Sequence, residues 1–254
     1  MHVFGNNEFL VAYYGAPGTG ALGVLGRSTP QKMTRHLAKA AAAFASTKRP
    51  VQPVYEVIVS VADAGPGKHG SYSHNVSRDS VKRYIRLAHE HGALVILDIQ
   101  PGRVNFLRRA KQWAWALKDP WVGLALDPEW RMGRHEVPGR VIGHVDAKEI
   151  NEVSAWLSHL VTTNGLPEKL FLLHTFRRSM IPDIAKVERR DGLAMVLHVD
   201  GFGTPGDKLA TYRTVARPKQ FTMGFKLFYR ADTHLMKPRQ VLKIHPTVRF
   251  VSYQ

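Results

Sequence analysis

The sequence predicts a single α/β domain, a (β/α)8 barrel of TIM type with its last helix missing or shortened. Three observations predict it. Short apolar runs alternate with longer amphipathic stretches, which implies parallel strands joined by helical crossovers. The apolar runs number eight. The 254 residues, 44% of them hydrophobic, match the roughly 250 residues of such a barrel.

The elements follow in order. "FLVAYYG" (9–15) reads as the first strand. The helix "STPQKMTRHLAKAAAAFAS" follows, with Thr29 as N-cap and Pro30 at its first position, where a missing N–H costs nothing. "VYEVIVSVA" (54–62) is a β-branched second strand, and a Gly/Ser/His loop, "DAGPGKHGSYSHN", leads from it. The helix "SRDSVKRYIRLAHEHG" ends on Gly92, a residue suited to a left-handed stop. "ALVILD" (93–98) is the third strand and "VNFLRRAKQWAWALKD" its helix. "WVGLALD" (121–127) is the fourth, followed by a long polar loop. "DAKEINEVSAWLSHLVTTNG" is a helix with Asp146 as N-cap and Glu149 at capping-box spacing. "KLFLLHT" (169–175), "LAMVLHVD" (193–200), "FTMGFKLFY" (221–229) and "TVRFVSYQ" (247–254) complete the strands. Helices over "SMIPDIAKVERRDG", "GDKLATYRTVA" and "KPRQVLKIH" separate them. The glycine-rich "GAPGTGALGVLG" (15–26) lacks a G-x-G-x-x-G leading into a helix, so it reads as a flexible rim loop.

Composition narrows the function. There are no cysteines, which removes disulfides, thiolate metal sites and a cysteine nucleophile. No apolar run approaches the roughly 18 residues of a membrane span, and the N-terminus lacks a signal-peptide pattern. A formal net charge of +16 attracts polyanions. The basic residues are scattered through the sequence, however, and no nucleic-acid-binding motif organises them, so sequence-specific nucleic-acid binding is not expected.

In such barrels chemistry sits at the carboxyl ends of the strands. Those ends carry Tyr13, Tyr14, Asp63, Asp98, Asp127, Glu129, His174, His198, Asp200, Lys226 and Tyr229, whereas Glu8, Lys169 and Gln220 stand isolated at the other end. Side-chain alternation sorts the fourth strand. Val122, Leu124 and Leu126 face helices; Gly123 and Ala125 face the interior, with Asp127, and Glu129 if the chain stays extended, at the mouth. The same rule turns Val196, His198 and Asp200 inward.

Clustered carboxyls repel one another, so one can keep a proton near neutral pH. A glycosidase needs such an acid together with a second carboxyl. Glu129 is the candidate general acid, Asp127 its support, and Asp98 and Asp200 the candidates for base, nucleophile or charge stabiliser. Tyr13, Tyr14, Trp130, Phe202 and Tyr229 offer faces for sugars. His174, His198 and Lys226 offer polar contacts.

This combination resembles the barrel glycoside hydrolases. Asp127-Pro128-Glu129 is similar to the D-x-E end of the signature of the chitinase-like family 18, whose glutamate is the acid and whose aspartate supports it. Val122 and Ala125 occupy the two earlier acid positions of that signature. The resemblance implies hydrolysis of a polysaccharide without cofactor or metal. The basic charge makes an anionic bacterial envelope glycan the first expectation, with an extracellular or envelope location. Two other readings compete: a non-catalytic carbohydrate-binding barrel, and a metal-dependent hydrolase using His174, His198 and Asp200.

Overall fold

A computed structural model describes residues 2–45, 49–67 and 69–254. Eight parallel strands close into a barrel: β1 (Phe9–Gly15), β2 (Val51–Ala62), β4 (Leu94–Ile99), β5 (Val122–Leu126), β6 (Lys169–Thr175), β7 (Leu193–Val199), β8 (Thr222–Leu227) and β9 (Val248–Tyr253). Closure runs through β1 against β9, with Leu10 opposite Phe250 and Tyr13 opposite Tyr253. A short β3 (Ser73–Asn75) pairs antiparallel with the end of β2. It lies in the predicted Gly/Ser/His loop, whose Lys68 falls outside the described residues.

Helices α1 (Pro30–Ala42), α2 (Arg78–His91), α3 (Phe106–Lys111), α4 (Ala114–Leu117), α5 (Ala147–Thr163), α6 (Pro205–Val215) and α7 (Pro238–Val241) lie outside. Their starts and stops follow the expected chemistry. The Thr29 side chain accepts from the Lys32 N–H, and Gly92 adopts φ +63° after α2. The predicted end of the first helix at Ser46 falls outside the described residues.

Three expectations need correction. The third helix is broken into α3 and α4. "SMIPDIAKVERRDG" forms two 3-10 turns, Arg178–Met180 and Ile184–Lys186, instead of a helix; Pro182 between them has no N–H to give a helical ladder. Glu149 does not close a capping box on Asp146. Its carboxylate instead accepts from the Phe106 N–H at 2.7 Å and holds Arg131 at 3.0 Å, so it ties the rim together.

Alternation decides what fills the barrel. Outward side chains such as Val122, Leu124, Leu126, Met195, Leu197 and Val199 pack under the helices. Inward, the lower barrel is apolar: Leu10, Val54, Ile96, Leu170, Val196 and Phe250. Above them the filling turns polar. The seam between β1 and β9 is covered by aromatic rings, with Tyr229 stacked on Tyr253 at 5.1 Å and Tyr13 edge-on to both.

The glycine-rich rim loop is packed rather than loose. Leu25 is fully buried, and its N–H donates to the Tyr14 carbonyl. A Cβ on Gly23, which has φ +140°, would lie 2.2 Å from that same carbonyl oxygen, whereas Gly18 has open space around it. Gly23→Ala should therefore destabilise the fold by about 1–3 kcal/mol through overpacking and backbone strain. Gly18→Ala, strained only by its backbone, should cost less. Thermal unfolding of the two variants side by side checks the difference.

Candidate functional site

The site is built from two inward-facing layers of the barrel, each drawing on alternate strands. Tyr14, Asp98, His174 and Lys226 come from β1, β4, β6 and β8. Above them stand Asp127 and Asp200, which follow β5 and β7. All six are almost completely buried.

Five of these groups, all but Asp127, join in a ring. The Tyr14 hydroxyl donates to Asp98 Oδ2 at 3.2 Å. Asp98 Oδ1 lies 3.6 Å from His174 Nε2. His174 Nδ1 meets Asp200 Oδ2 at 3.1 Å. Lys226 Nζ lies 3.9 Å from the same oxygen and 3.4 Å from the centre of the Tyr14 ring. Glu56, inward on β2, accepts from His174 Nε2 at 3.0 Å. Both imidazole nitrogens therefore face carboxylates.

Protons distribute accordingly. Burial alone would lower the His174 pKa, but hydrogen bonds to Asp200 and Glu56 outweigh it and hold the value well above the usual range. These acceptors favour the protonated imidazole. Burial would raise Asp200, but the His174 hydrogen bond and charge, with Lys226, pull it below its ordinary value. Asp200 is the site's secure anion.

The other acids go the opposite way. Burial lifts Asp98 to about 7, with His174 opposing and Glu56 reinforcing the shift. Burial and the charges of Asp98, Glu129 and Asp200 carry Asp127 well above its normal range, against the pull of His174. Burial and the Asp200 charge raise Glu129 to about 7. Asp98 Oδ1 and Asp127 Oδ1 have no hydrogen-bond partner among the described residues. Glu56 Oε2 and Asp200 Oδ1 lack one as well.

A cavity of about 430 Å³ opens over the ring. Asp127, Glu129, Asp200, Lys226 and Tyr14 reach it, with Trp130, Phe176, Phe202 and Phe228 among its walls. The expected extended geometry stops at Asp127, and Pro128–Trp130 form a 3-10 turn. Glu129 still borders the cavity. Its turn is fixed from behind: the Gly143 N–H donates to the Glu129 carbonyl at 2.7 Å, and a Cβ on Gly143 would collide with the carbonyls of Pro128, Glu129 and Arg131.

Several sequence candidates fall elsewhere. Asp98 is sealed beneath Tyr14 and does not border the cavity. Tyr13 has the opposite parity to Tyr14. It points into the helix layer, donating to the His36 carbonyl and touching Tyr229, and neither Tyr13 nor Tyr229 lines the cavity. His174 and His198 lie beneath the floor. His198 bonds Ser252 Oγ at 2.7 Å through Nε2, and burial together with the nearby His174 charge pushes its pKa well below normal. Asp63 pairs with His74 on the rim.

Sequence reasoning missed Glu56 and Gln100. Gln100 donates to the Tyr14 hydroxyl at 3.1 Å and accepts from the Ala62 N–H. It also missed Lys208 and Asp232, a fully buried ion pair at 3.0 Å. Lys208 donates to the carbonyls of Gly201 and Lys226. Asp232 accepts from the N–H groups of Gly203 and Phe228. The pair thus knots the segment after Asp200 to the segment after Lys226.

For metal binding, Glu56, His174 and His198 present ligand atoms within 4.8 Å of one another. Glu56 thus takes the place expected for Asp200 in such a set. In the observed geometry both His174 nitrogens are already directed at carboxylates.

The fold and site together define a TIM-type barrel with a buried carboxylate cluster at its mouth. No protein-family model matches the chain, and no curated protein matches it significantly.

Stability should report these proton positions. Asp98 and Glu129 keep protons to about pH 7 in the fold but lose them near pH 4 when unfolded. Their contribution is fully present below about pH 4 and is lost as pH rises towards 7. His174 acts in the same direction at higher pH, whereas the depressed Asp200 loses its contribution as pH falls below about 4. The melting temperature should therefore decline from pH 5 to pH 8, and Glu129→Gln should flatten that decline. A decline as steep in Glu129→Gln as in wild type would contradict the assignment.

Proposed function

We propose that the protein is a glycoside hydrolase acting on a polysaccharide, with Glu129 as general acid and Asp200 as the anionic partner. The observation that carries this reading is the divergence of two carboxyls on one cavity. Glu129 holds its proton to about pH 7, whereas Asp200 is kept ionised by His174 and Lys226. Pairs of carboxyls driven apart in this way are how a site runs acid and base chemistry together.

In this reading Glu129 protonates the glycosidic oxygen as the bond to the anomeric carbon breaks. Asp200 faces the positive charge that develops on the sugar and serves as base or nucleophile. Asp127, neutral and buried, supports Glu129 without competing for charge. Trp130, Phe176, Phe202 and Phe228 give apolar faces on which sugar rings stack. An anionic envelope glycan, met outside the cell or at its envelope, remains the substrate that best suits a net charge of +16.

Glu129→Gln keeps the size of the side chain and removes its proton. Turnover of the natural glycan should fall by roughly 10²–10⁴ while binding persists. The loss should shrink on an aryl glycoside whose leaving group needs no protonation. Near-normal turnover by the variant, with the fold intact, would place the acid elsewhere.

The pH profile supplies a second test. Because Glu129 must be protonated and Asp200 ionised, kcat/KM should stay flat through mildly acidic pH and fall as pH rises through about 7. A profile rising through pH 7 would overturn the pairing.

A metal-dependent hydrolase is the second reading, favoured by the approach of Glu56, His174 and His198. Chelation followed by metal add-back separates the two. Activity unaffected by chelation supports the carboxylate reading, and loss with recovery supports the metal.

A further inference from the structure

The fold brings nine of the 36 Lys and Arg residues, scattered along the sequence, onto one flank. Helix α1 exposes Lys32, Arg35 and Lys39 and carries no acid. Helix α2 exposes Arg78, Lys82, Arg83 and Arg86. Helix α3 exposes Arg108 and Lys111, again without an acid. These helices follow one another around the barrel wall: α1 packs on β1 and β2, α2 on β2 and β4, α3 on β4, and α1 touches α2. Against the nine exposed cations of this flank stand two exposed acids, Asp79 and Glu90. Helix α5 is different in character, with Lys148 beside Glu149 and Glu152.

The arrangement has direction. Helices of such a barrel begin at the mouth, so Lys32, Arg78 and Arg108 lie at the mouth end of the flank. Arg78, Lys82 and Arg86 then descend α2 in one row, about 6 Å apart at four residues per step. The Trp115 ring stands beside this row, with Arg78 5.8 Å and Lys82 5.9 Å from its centre.

We infer that this flank is a docking surface for a linear anionic polysaccharide, which it holds alongside the cavity mouth. The choice of polymer rests on the proposed hydrolase reading, and the site class rests on charge. A row of cations at regular spacing complements a chain with an acid on each sugar, and the row leads to the end of the barrel where the cavity opens. Two other polyanions fit less well. Single-stranded nucleic acid is usually held by aromatic platforms that accept bases, and Trp115 is flanked by two cations instead. A lipid surface asks for apolar side chains that enter it. The exposed large hydrophobic residues among those described are Val141, Phe202 and Tyr229, none of them on these helices.

The test measures binding of the full chain to polygalacturonate, with amylose as neutral polymer and single-stranded DNA and phosphatidylglycerol vesicles as competing polyanions. Wild type should bind polygalacturonate more tightly than the other three, with affinity falling at least about tenfold from low to physiological salt. Arg78→Glu/Arg83→Glu/Arg86→Glu, changed only at exposed positions and checked for wild-type circular dichroism, should lose at least about tenfold in affinity. Lys32→Ala/Arg35→Ala, which removes charge from a different helix, should lose less but in the same direction. Lys148→Glu, a charge reversal at an exposed position of α5, should bind polygalacturonate like wild type. Unchanged binding in both folded flank variants, or tighter binding to DNA or vesicles than to polygalacturonate, overturns the inference. If Glu129→Gln retains turnover while the flank variants lose binding, the catalytic reading fails and the docking surface stands.

Discussion

The site depends on a single buried histidine. His174 lies at the centre of the barrel with Glu56 at 3.0 Å on one nitrogen and Asp200 at 3.1 Å on the other. A buried charge is tolerated only when paired and hydrogen-bonded, and here each partner requires the other. The His174 hydrogen bond and charge, with Lys226 and Lys208, outweigh the burial that would raise Asp200. Without the two carboxylates, burial would neutralise the imidazole. Below them the barrel is filled by the apolar cluster of Leu10, Val54, Ile96, Leu170, Val196 and Phe250.

From this pairing the other protonation states follow. His174 and Lys226 cannot balance every carboxyl around them, and the low-dielectric interior magnifies the imbalance. The acids with poorer access to these cations, Asp98, Asp127 and Glu129, shift upward. Lys226 is itself held in place at a distance. Lys208 and Asp232 bind four backbone groups around the ends of β7 and β8, which sets the spacing of Asp200 from Lys226. A buried ion pair is weak evidence of net stability. Its four backbone contacts argue instead for geometry.

Much of this was legible in the sequence because strand alternation is a strict rule. Applied to "WVGLALD" and "LAMVLHVD" it turned Asp127, His198 and Asp200 inward, as found. Applied to "FLVAYYG" it admits only one of Tyr13 and Tyr14 to the interior, and Tyr14 is the one found there. Glu56 carried a readable signal too: it is the lone charge inside the apolar run "VYEVIVSVA", on the face of Val54 and Ile58. A carboxylate buried in mid-strand needs a partner, and the partner lies 118 residues away on β6, a contact that periodicity cannot supply. Lys208 was illegible for a similar reason. It belongs to a helix whose charged residues look solvated, and only the tertiary structure shows it turned under the rim. The absent helix near residue 180 was foreshadowed by Pro182, which outweighs the surrounding helix-forming residues.

The same chain is strongly basic outside and rich in carboxyls within, and distance keeps these two properties apart. Exposed charges are screened over about 8–10 Å in physiological salt, whereas the groups inside the barrel interact at low dielectric over a few ångströms. The cations that act on the site's acids are local: His174, Lys226, Lys208 and Arg177. None belongs to α1, α2 or α3. Charge on those helices can therefore change how a polyanion arrives without moving the proton on Glu129. The converse also holds, since neutralising a buried carboxyl alters the cavity's chemistry and leaves the outer flank as it was. A glycan drawn in by long-range attraction would meet, at the mouth, an acid whose proton is set by burial and by Asp200 rather than by the protein's net charge.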